Sequence, residues 1–518
     1  MEMVVLGALA LAAAAAAQPE PLSTPAGKLR CGRVGSHTRE CLGVPFAAPP
    51  VGPLRWHAPK PAAPWSGVRD ATRKQPLCIQ GGHPPVANQT DEDCLYLDIW
   101  SPSAPSADGA GYPVMIWLHG GSYSTGSPQN ASLFVELSQK VVWVGVNYRL
   151  NVYGFLGGEE LRGRDEHNGT GNYGLQDQRL ALEWVQKNVA AFSGDADNVM
   201  IDGCSAGAGS TANHAVNANS WPFFNKVAGE SGMFSMWNTN TLATAEGVFS
   251  QVANFTGCSA AADAVACLQE KSAAELIRAS ALLPGLMLEI PRIDKIVWAP
   301  VIDSVDVVGH PYALAKAGHH LQGPMLLGTA RDEGTSFNWL SAGECPRGTP
   351  PCPVLTPANM SQEEFEAWAP LAMPGVPVEK LVELYGGHPA TSGQGVMHGE
   401  WYWAAAKLTG DVGFHCNSRM GARWLSGKQP VFLYSWSPAV AFGKKGQDLI
   451  SHCSENPSIY LQQGGPDYAG PELTQAVGQY WYSFAKHGDP SVARAAGSPA
   501  WEPCKIVMLS RFACCPSR

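Results

Sequence analysis

Five short segments, largely apolar and rich in Val, Ile, Leu and aromatic residues, constrain the fold of this chain more than any other feature. Buried parallel strands need such runs, because both faces of a parallel sheet are covered. Segments with helical periodicity separate the runs, and this alternation predicts an α/β fold with a mostly parallel central sheet between helices. The predicted strands are 113–118, 141–148, 198–202, 324–328 and 430–436.

Apolar residues spaced three and four apart predict two amphipathic helices. One lies within 175–192, and the other covers 473–484. The segment from about 340 to 400 is richer in Pro and Gly, which predicts a loop or helical insertion over one end of the sheet. No long low-complexity linker follows residue 25, so residues 18–518 are expected to form a single domain.

The N-terminus and the charge of the chain indicate its compartment and its partners. Residues 3–17 are apolar or Gly and end in Ala15 to Ala17, which is typical of a secretory signal peptide over residues 1–17, although the n-region carries Glu2 and no basic residue. No later segment has eighteen uninterrupted apolar residues, so the mature chain is expected to be secreted without a membrane span. A net charge of −9 without a basic run argues against nucleic acid as a partner.

The 14 cysteines agree with export to an oxidising compartment. No C-x-x-C pair is present, so no metal site is expected. Small-loop spacing predicts disulfides between Cys78 and Cys94, Cys258 and Cys267, Cys345 and Cys352, and Cys31 and Cys41. Five N-x-[ST] sequons are glycosylation candidates: Asn88, Asn130, Asn168, Asn254 and Asn359.

The stretch Gly203-Cys204-Ser205-Ala206-Gly207 follows one of the predicted strands and precedes a segment of small residues. A strand, a sharp turn and a closely packed helix form the nucleophile elbow of hydrolases, where flanking glycines allow backbone to meet backbone. The central residue of that turn points into the cleft, so Ser205 is the candidate nucleophile. Cys204 is interpreted as a small buried hydrophobic residue.

A serine nucleophile needs a base, and the base needs a carboxylate. In this fold the acid follows the serine and the histidine comes last. Asp332 and Glu333 both follow the strand at 324–328, and the residues alone do not separate them. Among the later histidines, His452 lies in the loop after the last predicted strand and is favoured over His487.

The segment WLHGGSY supplies donors for an oxyanion. Gly120, Gly121 and Ser122 follow a strand, and their amides can turn inward. The amide of Ala206, directly after the candidate nucleophile, adds a further donor.

These features together resemble the type-B carboxylesterase and cholinesterase-like family of α/β-hydrolases, from about Gly32 to Pro490. The resemblance implies an α/β-hydrolase fold with insertions over an active-site gorge, and a serine esterase that acts on a small-molecule ester without a metal or organic cofactor. The segments that carry it are GVPFAAPPVGPLRW (43–56), EDCLYLDIWSP (92–102), WLHGGSY, VNYRLNVYGFL (146–156) and the run from GNYGLQDQ to DGCSAGA.

The resemblance also implies residue roles. Ser205 corresponds to the nucleophile, Glu333 to the acid and His452 to the base, with Glu455 three residues after it. The implied oxyanion donors are the amides of Gly121, Ser122 and Ala206. The pairs Cys78–Cys94 and Cys258–Cys267 match small disulfide loops of the family, and Cys416 is expected to pair with Cys504, Cys514 or Cys515.

Three positions depart from the family pattern. Cys204 stands where the family usually has Glu, and Ser122 replaces the third glycine of the oxyanion turn, where any positive φ would have an energetic cost. The loop between Cys78 and Cys94 has no Trp to hold a quaternary ammonium, which disfavours choline esters. A catalytically silent binding or adhesion protein on the same fold, and a lipase, are the alternative functions.

Overall fold

The computed structural model describes residues 20–80, 89–283, 296–338, 360–387, 399–438, 450–462 and 470–504. The predicted signal peptide, the sequons at Asn88 and Asn359, and Cys345, Cys352, Cys514 and Cys515 lie outside these residues.

The described strands alternate with the described helices along most of the chain. The strands are β1 (Leu22–Thr24), β2 (Gly27–Val34), β3 (Thr38–Pro45), β4 (Val68–Ala71), β5 (Leu77–Cys78), β6 (Thr90–Asp91), β7 (Tyr96–Pro102), β8 (Tyr112–Leu118), β9 (Val142–Val146), β10 (Gly194–Gly203), β11 (Lys226–Glu230), β12 (Asn240–Thr241), β13 (Val301–Ile302), β14 (Met325–Ala330) and β15 (Val431–Trp436).

The helices follow the same chain order, and a π-helical turn at Asp411–His415 joins the thirteenth to the fourteenth. They are α1 (Ser132–Ser138), α2 (Asn151–Phe155), α3 (Glu159–Arg162), α4 (Tyr173–Asn188), α5 (Ala206–Ala215), α6 (Leu242–Phe255), α7 (Ala264–Gln269), α8 (Ala273–Ala281), α9 (Pro311–Ala317), α10 (Thr335–Asn338), α11 (Gln362–Ala372), α12 (Val378–Tyr385), α13 (Glu400–Gly410), α14 (Cys416–Leu425), α15 (Asn456–Ile459) and α16 (Pro471–His487).

The main sheet has the strand order β1-β2-β3-β7-β9-β8-β10-β11-β14-β15, and β4 also pairs with β2. Six neighbouring strands in this order, β9, β8, β10, β11, β14 and β15, pair in parallel. The other four strands in the order, β1, β2, β3 and β7, pair antiparallel with their neighbours. They extend the sheet on one side, and the apolar runs did not predict them. All five predicted strands belong to the parallel part, which confirms the predicted α/β-hydrolase fold.

Helices cover both faces of the sheet. On β8 and β10, Ile116 and Ile201 face the core that includes Leu182 of α4. The alternate residues Met115 and Met200 face the core that includes Phe484 of α16. The two predicted amphipathic helices are α4 and α16, and their apolar stripes close opposite sides of the sheet.

The predicted insertion contains α11 and α12, and both pack on α13. None of the helices in the described ranges combines the length and apolar character that crossing a bilayer requires. The parallel strands end at one edge of the sheet, and the loops that follow β8, β10, β14 and β15 there carry the candidate site residues.

Candidate active site

Ser205 occupies a sharp turn between β10 and α5. Its backbone has φ 59° and ψ −124°, a conformation that residues with a Cβ rarely adopt. A Cβ on Gly203 would lie 2.6 Å from the carbonyl oxygen of Leu118, and one on Gly207 would lie 2.0 Å from the same atom. The turn therefore requires both glycines, and it leaves Ser205 partly exposed between the buried residues Cys204 and Ala206.

Glu333 follows β14 and is fully buried. Its Oε2 accepts a hydrogen bond from His452 Nδ1 at 2.5 Å, and its Oε1 accepts one from the Ala330 amide at 2.7 Å. Burial opposes the carboxylate charge, but the neighbouring imidazoles of His452 and His415 outweigh it and hold the pKa of Glu333 below its ordinary value. Asp332 instead accepts hydrogen bonds from Arg331 and from the Ile450 amide. The structure thus brings Glu333, and not Asp332, to the imidazole.

The imidazole of His452 lies between two aromatic rings. The ring centroids of Phe337 and Phe414 are 5.0 and 4.7 Å from its own. Because Nδ1 donates to a carboxylate, the neutral ring presents an unprotonated Nε2, and this buried atom has no hydrogen-bond partner within the described residues. His487 is exposed at the end of α16, where the adjacent Gly488 lies against Pro324 before the start of β14. His487 therefore lies where the parallel strands begin, at the end of the sheet opposite to the one that carries Ser205.

A disulfide joins Cys204 to Cys453, with the two Cα atoms 6.2 Å apart. A ring nitrogen of His452 and the two sulfur atoms lie within 4.8 Å of one another. Cys204 is buried in the core, as interpreted from the sequence, but its sulfur is in a disulfide that the sequence analysis did not predict. The spacing rule that found short disulfide loops could not find this pair, because its members are 249 positions apart.

The loop after β8 presents the predicted oxyanion donors. Gly121 has φ 111°, and a Cβ there would lie 2.3 Å from the Thr125 carbonyl oxygen. Ser122 has φ 54°, the positive value that has an energetic cost for a residue other than glycine. In the described part of the chain, the amides of both residues donate to no oxygen atom. Ala206 opens α5, so its amide has no acceptor within that helix.

Three buried carboxyl groups lie behind the turn: Asp202, Glu230 and Glu455. Tyr434 donates to Glu455 at 2.7 Å, and Tyr460 donates to Asp202 at 3.3 Å. Burial raises the pKa of Asp202 to about 7 and that of Glu455 to about 8. Of these three, only Glu455 was noted from the sequence; the acid directly after the apolar residues Val199 to Ile201 was the available signal for Asp202.

Three more disulfides and three of the sequons lie within the described residues. The structure contains the disulfides Cys31–Cys41, Cys78–Cys94 and Cys258–Cys267. Within the described residues, Cys416 is not joined to Cys504. Its other two expected partners, Cys514 and Cys515, lie outside the described residues, so those pairings stay predictions. Three sequon asparagines, Asn130, Asn168 and Asn254, are exposed.

Comparisons with known proteins agree with this geometry. A profile of the carboxylesterase family matches residues 19–509. The chain is 30% identical to acylcarnitine hydrolase of Mus musculus over 500 residues, which cover 90% of this chain and 82% of that protein. It is also 30% identical to pyrethroid hydrolase Ces2a of Mus musculus over 492 residues, or 89% of this chain and 80% of that protein. Acetylcholinesterase of Bungarus fasciatus is 35% identical over 321 residues, which are 58% of this chain and 50% of that protein. The chain belongs to the carboxylesterase family and is a carboxylic-ester hydrolase.

Proposed function

We propose that this hydrolase works through an acyl-enzyme formed on Ser205, with His452 as general base and Glu333 as its acid partner. Ser205 Oγ attacks the ester carbonyl while His452 Nε2 takes its proton. The imidazolium then gives that proton to the departing alcohol. Water, deprotonated by the same nitrogen, releases the acid and restores Ser205.

The observation that carries the proposal is the contact between His452 Nδ1 and Glu333 Oε2 at 2.5 Å. A buried carboxylate there selects the tautomer whose Nε2 can accept a proton, and it stabilises the imidazolium that forms. The lowered pKa of Glu333 keeps this group ionised at neutral pH. The amides of Gly121, Ser122 and Ala206 would stabilise the negative charge on the carbonyl oxygen.

The aromatic surroundings of His452 favour esters with an apolar group. Phe337 and Phe414 stack with their centroids 5.2 Å apart, and Trp237 lies 5.9 Å from Phe414. These rings are buried beside the base, where an acyl or alcohol chain would pack. The absence of Trp from the segment between Cys78 and Cys94 argues against a quaternary ammonium ester.

We further propose that the chain enters the secretory pathway. The signal-like residues 1–17 and the four disulfides within the described residues support this compartment, because disulfides persist in oxidising surroundings. The exposed sequons at Asn130, Asn168 and Asn254 would be accessible to glycosylation there.

The test compares turnover of p-nitrophenyl butyrate by the purified chain and by Ser205→Ala. We expect a loss of at least about 10³-fold, because removal of the nucleophile leaves only binding and oxyanion stabilisation. Ser210→Ala, the same change on the next turn of α5, is the control and should stay close to the parent. Treatment with an organophosphonate should add its mass to the peptide that contains Ser205.

Parental turnover by Ser205→Ala would refute the mechanism. No turnover and no phosphonylation of the parent across a panel of short esters would favour the silent binding protein instead.

A further inference from the structure

The Cys204–Cys453 disulfide connects the residue before Ser205 to the residue after His452. The cysteines are 249 positions apart along the chain, and their Cα atoms are 6.2 Å apart. Each cysteine is one peptide bond from a residue whose position decides proton transfer under the proposed function. The disulfide therefore limits how far the turn that carries Ser205 and the segment that carries His452 can separate.

Hydrogen bonds hold the His452 segment to the segment that carries Glu333. Asp332 Oδ2 accepts from the Ile450 amide at 3.0 Å, and the Asp332 amide donates to the Ile450 carbonyl oxygen at 2.9 Å. The His452 amide donates to Ser336 Oγ at 3.2 Å. None of these bonds reaches Ser205. Within the described residues, His452 Nε2 has no hydrogen bond. The hydrogen bond from Tyr460 to Asp202 also joins the two segments, but only the disulfide joins the residues directly next to Ser205 and His452.

The backbone conformation of Cys453 indicates that its side chain has a specific role. Its φ is 60°, in the left-handed region that glycine enters freely and other residues enter at an energetic cost. Local geometry alone would favour glycine at this position. A cysteine there is explained by the bond that its sulfur makes with Cys204.

We propose that Cys204 and Cys453 are positioning residues, and that their disulfide keeps His452 Nε2 within reach of Ser205 Oγ. The inference rests on the proposed function. With the bond open, His452 keeps its hydrogen bond to Glu333, but no covalent link then limits the separation between the turn and the imidazole. A displacement of about 1 Å in such a site lowers the rate by on the order of 10²-fold.

The variants that test this are Cys453→Gly, which also relieves the left-handed backbone, and the double variant Cys204→Ala/Cys453→Gly. The control is Cys258→Ala/Cys267→Ala, which removes a disulfide between the loop after α6 and helix α7. We expect kcat for p-nitrophenyl butyrate to fall about 10- to 100-fold in the first two, with KM within about twofold. The rate constant for phosphonylation of Ser205 should fall by the same factor, and the control should keep the parental values.

A second arm uses the parent enzyme under non-denaturing conditions. Dithiothreitol would reduce the disulfide to two thiols and itself become the cyclic disulfide, a transfer of two electrons and two protons. Cys453 is half-buried, whereas Cys204 is buried, so we expect the thiolate to attack at Cys453. Turnover is measured first, and an aliquot is then alkylated and mapped to show which disulfides opened. We expect turnover to fall as this bond opens, and to return on reoxidation.

Three results would overturn the proposal. The first is a parental kcat in a cysteine variant that still unfolds cooperatively on heating. The second is full turnover by the parent enzyme after this disulfide has been reduced. The third is unfolding of the chain whenever the bond is opened, which would make the disulfide structural only. Ser205→Ala separates the two proposals: if it keeps turnover, the proposed function fails, whereas an inactive Ser205→Ala beside fully active cysteine variants rejects only the positioning role.

Discussion

Replacement of Glu333 by Gln isolates the acid partner of His452. In the parent, one carboxylate oxygen accepts from His452 Nδ1 at 2.5 Å and the other accepts from the Ala330 amide at 2.7 Å. A carboxamide has one acceptor oxygen, so it can satisfy only one of these two donors. The site is fully buried, so water does not replace the lost bond.

Both orientations of the carboxamide impair the base. If its oxygen stays with Ala330, its NH₂ faces Nδ1, and the ring must move its proton to Nε2, which then cannot accept the proton of Ser205. If its oxygen turns to Nδ1, its NH₂ opposes the Ala330 amide, which leaves buried donors unpaired at about 1–3 kcal/mol. Either way the imidazolium loses its ionic partner. The expected fall in kcat is between about 10²- and 10⁴-fold.

The assay is steady-state hydrolysis of p-nitrophenyl butyrate, with a melting curve for each variant. The matched control is Asp332→Asn at the neighbouring acid. Its new carbonyl oxygen can still accept from the Ile450 amide, and Asp332 makes no hydrogen bond to the imidazole in the described contacts. A Glu333→Gln enzyme with more than about a tenth of parental kcat would refute the reasoning, as would an equal loss in Asp332→Asn.

Two further predictions concern stability. Gly207→Ala should destabilise the chain by about 3 kcal/mol or more in urea unfolding, because its Cβ would meet the Leu118 backbone at 2.0 Å. Gly247→Ala, in α6 with no atom near the new Cβ, should instead stabilise it by about 0.5–1 kcal/mol; similar values for both would contradict the packing argument. The second prediction concerns pH: the pKa values of Asp202 and Glu455, raised to about 7 and about 8, mean that the folded chain holds protons that the unfolded chain releases. The free energy of unfolding should therefore fall as pH rises from about 4.5 to about 8. The melting temperature of Asp202→Asn should fall less steeply over this range than that of the parent, and equal slopes would contradict the prediction.

Local sequence determined much of the parallel sheet and of the turn at Ser205. A strand buried on both faces must be apolar along its length, so β8, β9, β10, β14 and β15 are visible as runs of residues. Gly203 and Gly207 are needed because backbone carbonyl groups lie where a Cβ would be. Strands of the antiparallel part such as β2 mix exposed and buried residues, so their pattern is weaker and they were not predicted.

Contacts between distant segments were decided by the tertiary structure alone. Composition and spacing left Asp332 and Glu333 equivalent; the family resemblance implied Glu333, and the packed loops bring this carboxylate to His452. The pair Cys204–Cys453 and the group formed by Asp202, Glu230 and Glu455 join residues that are far apart in the chain. Strand formation depends on neighbours along the polymer, whereas a disulfide or a raised pKa depends on what the completed fold brings within a few ångströms.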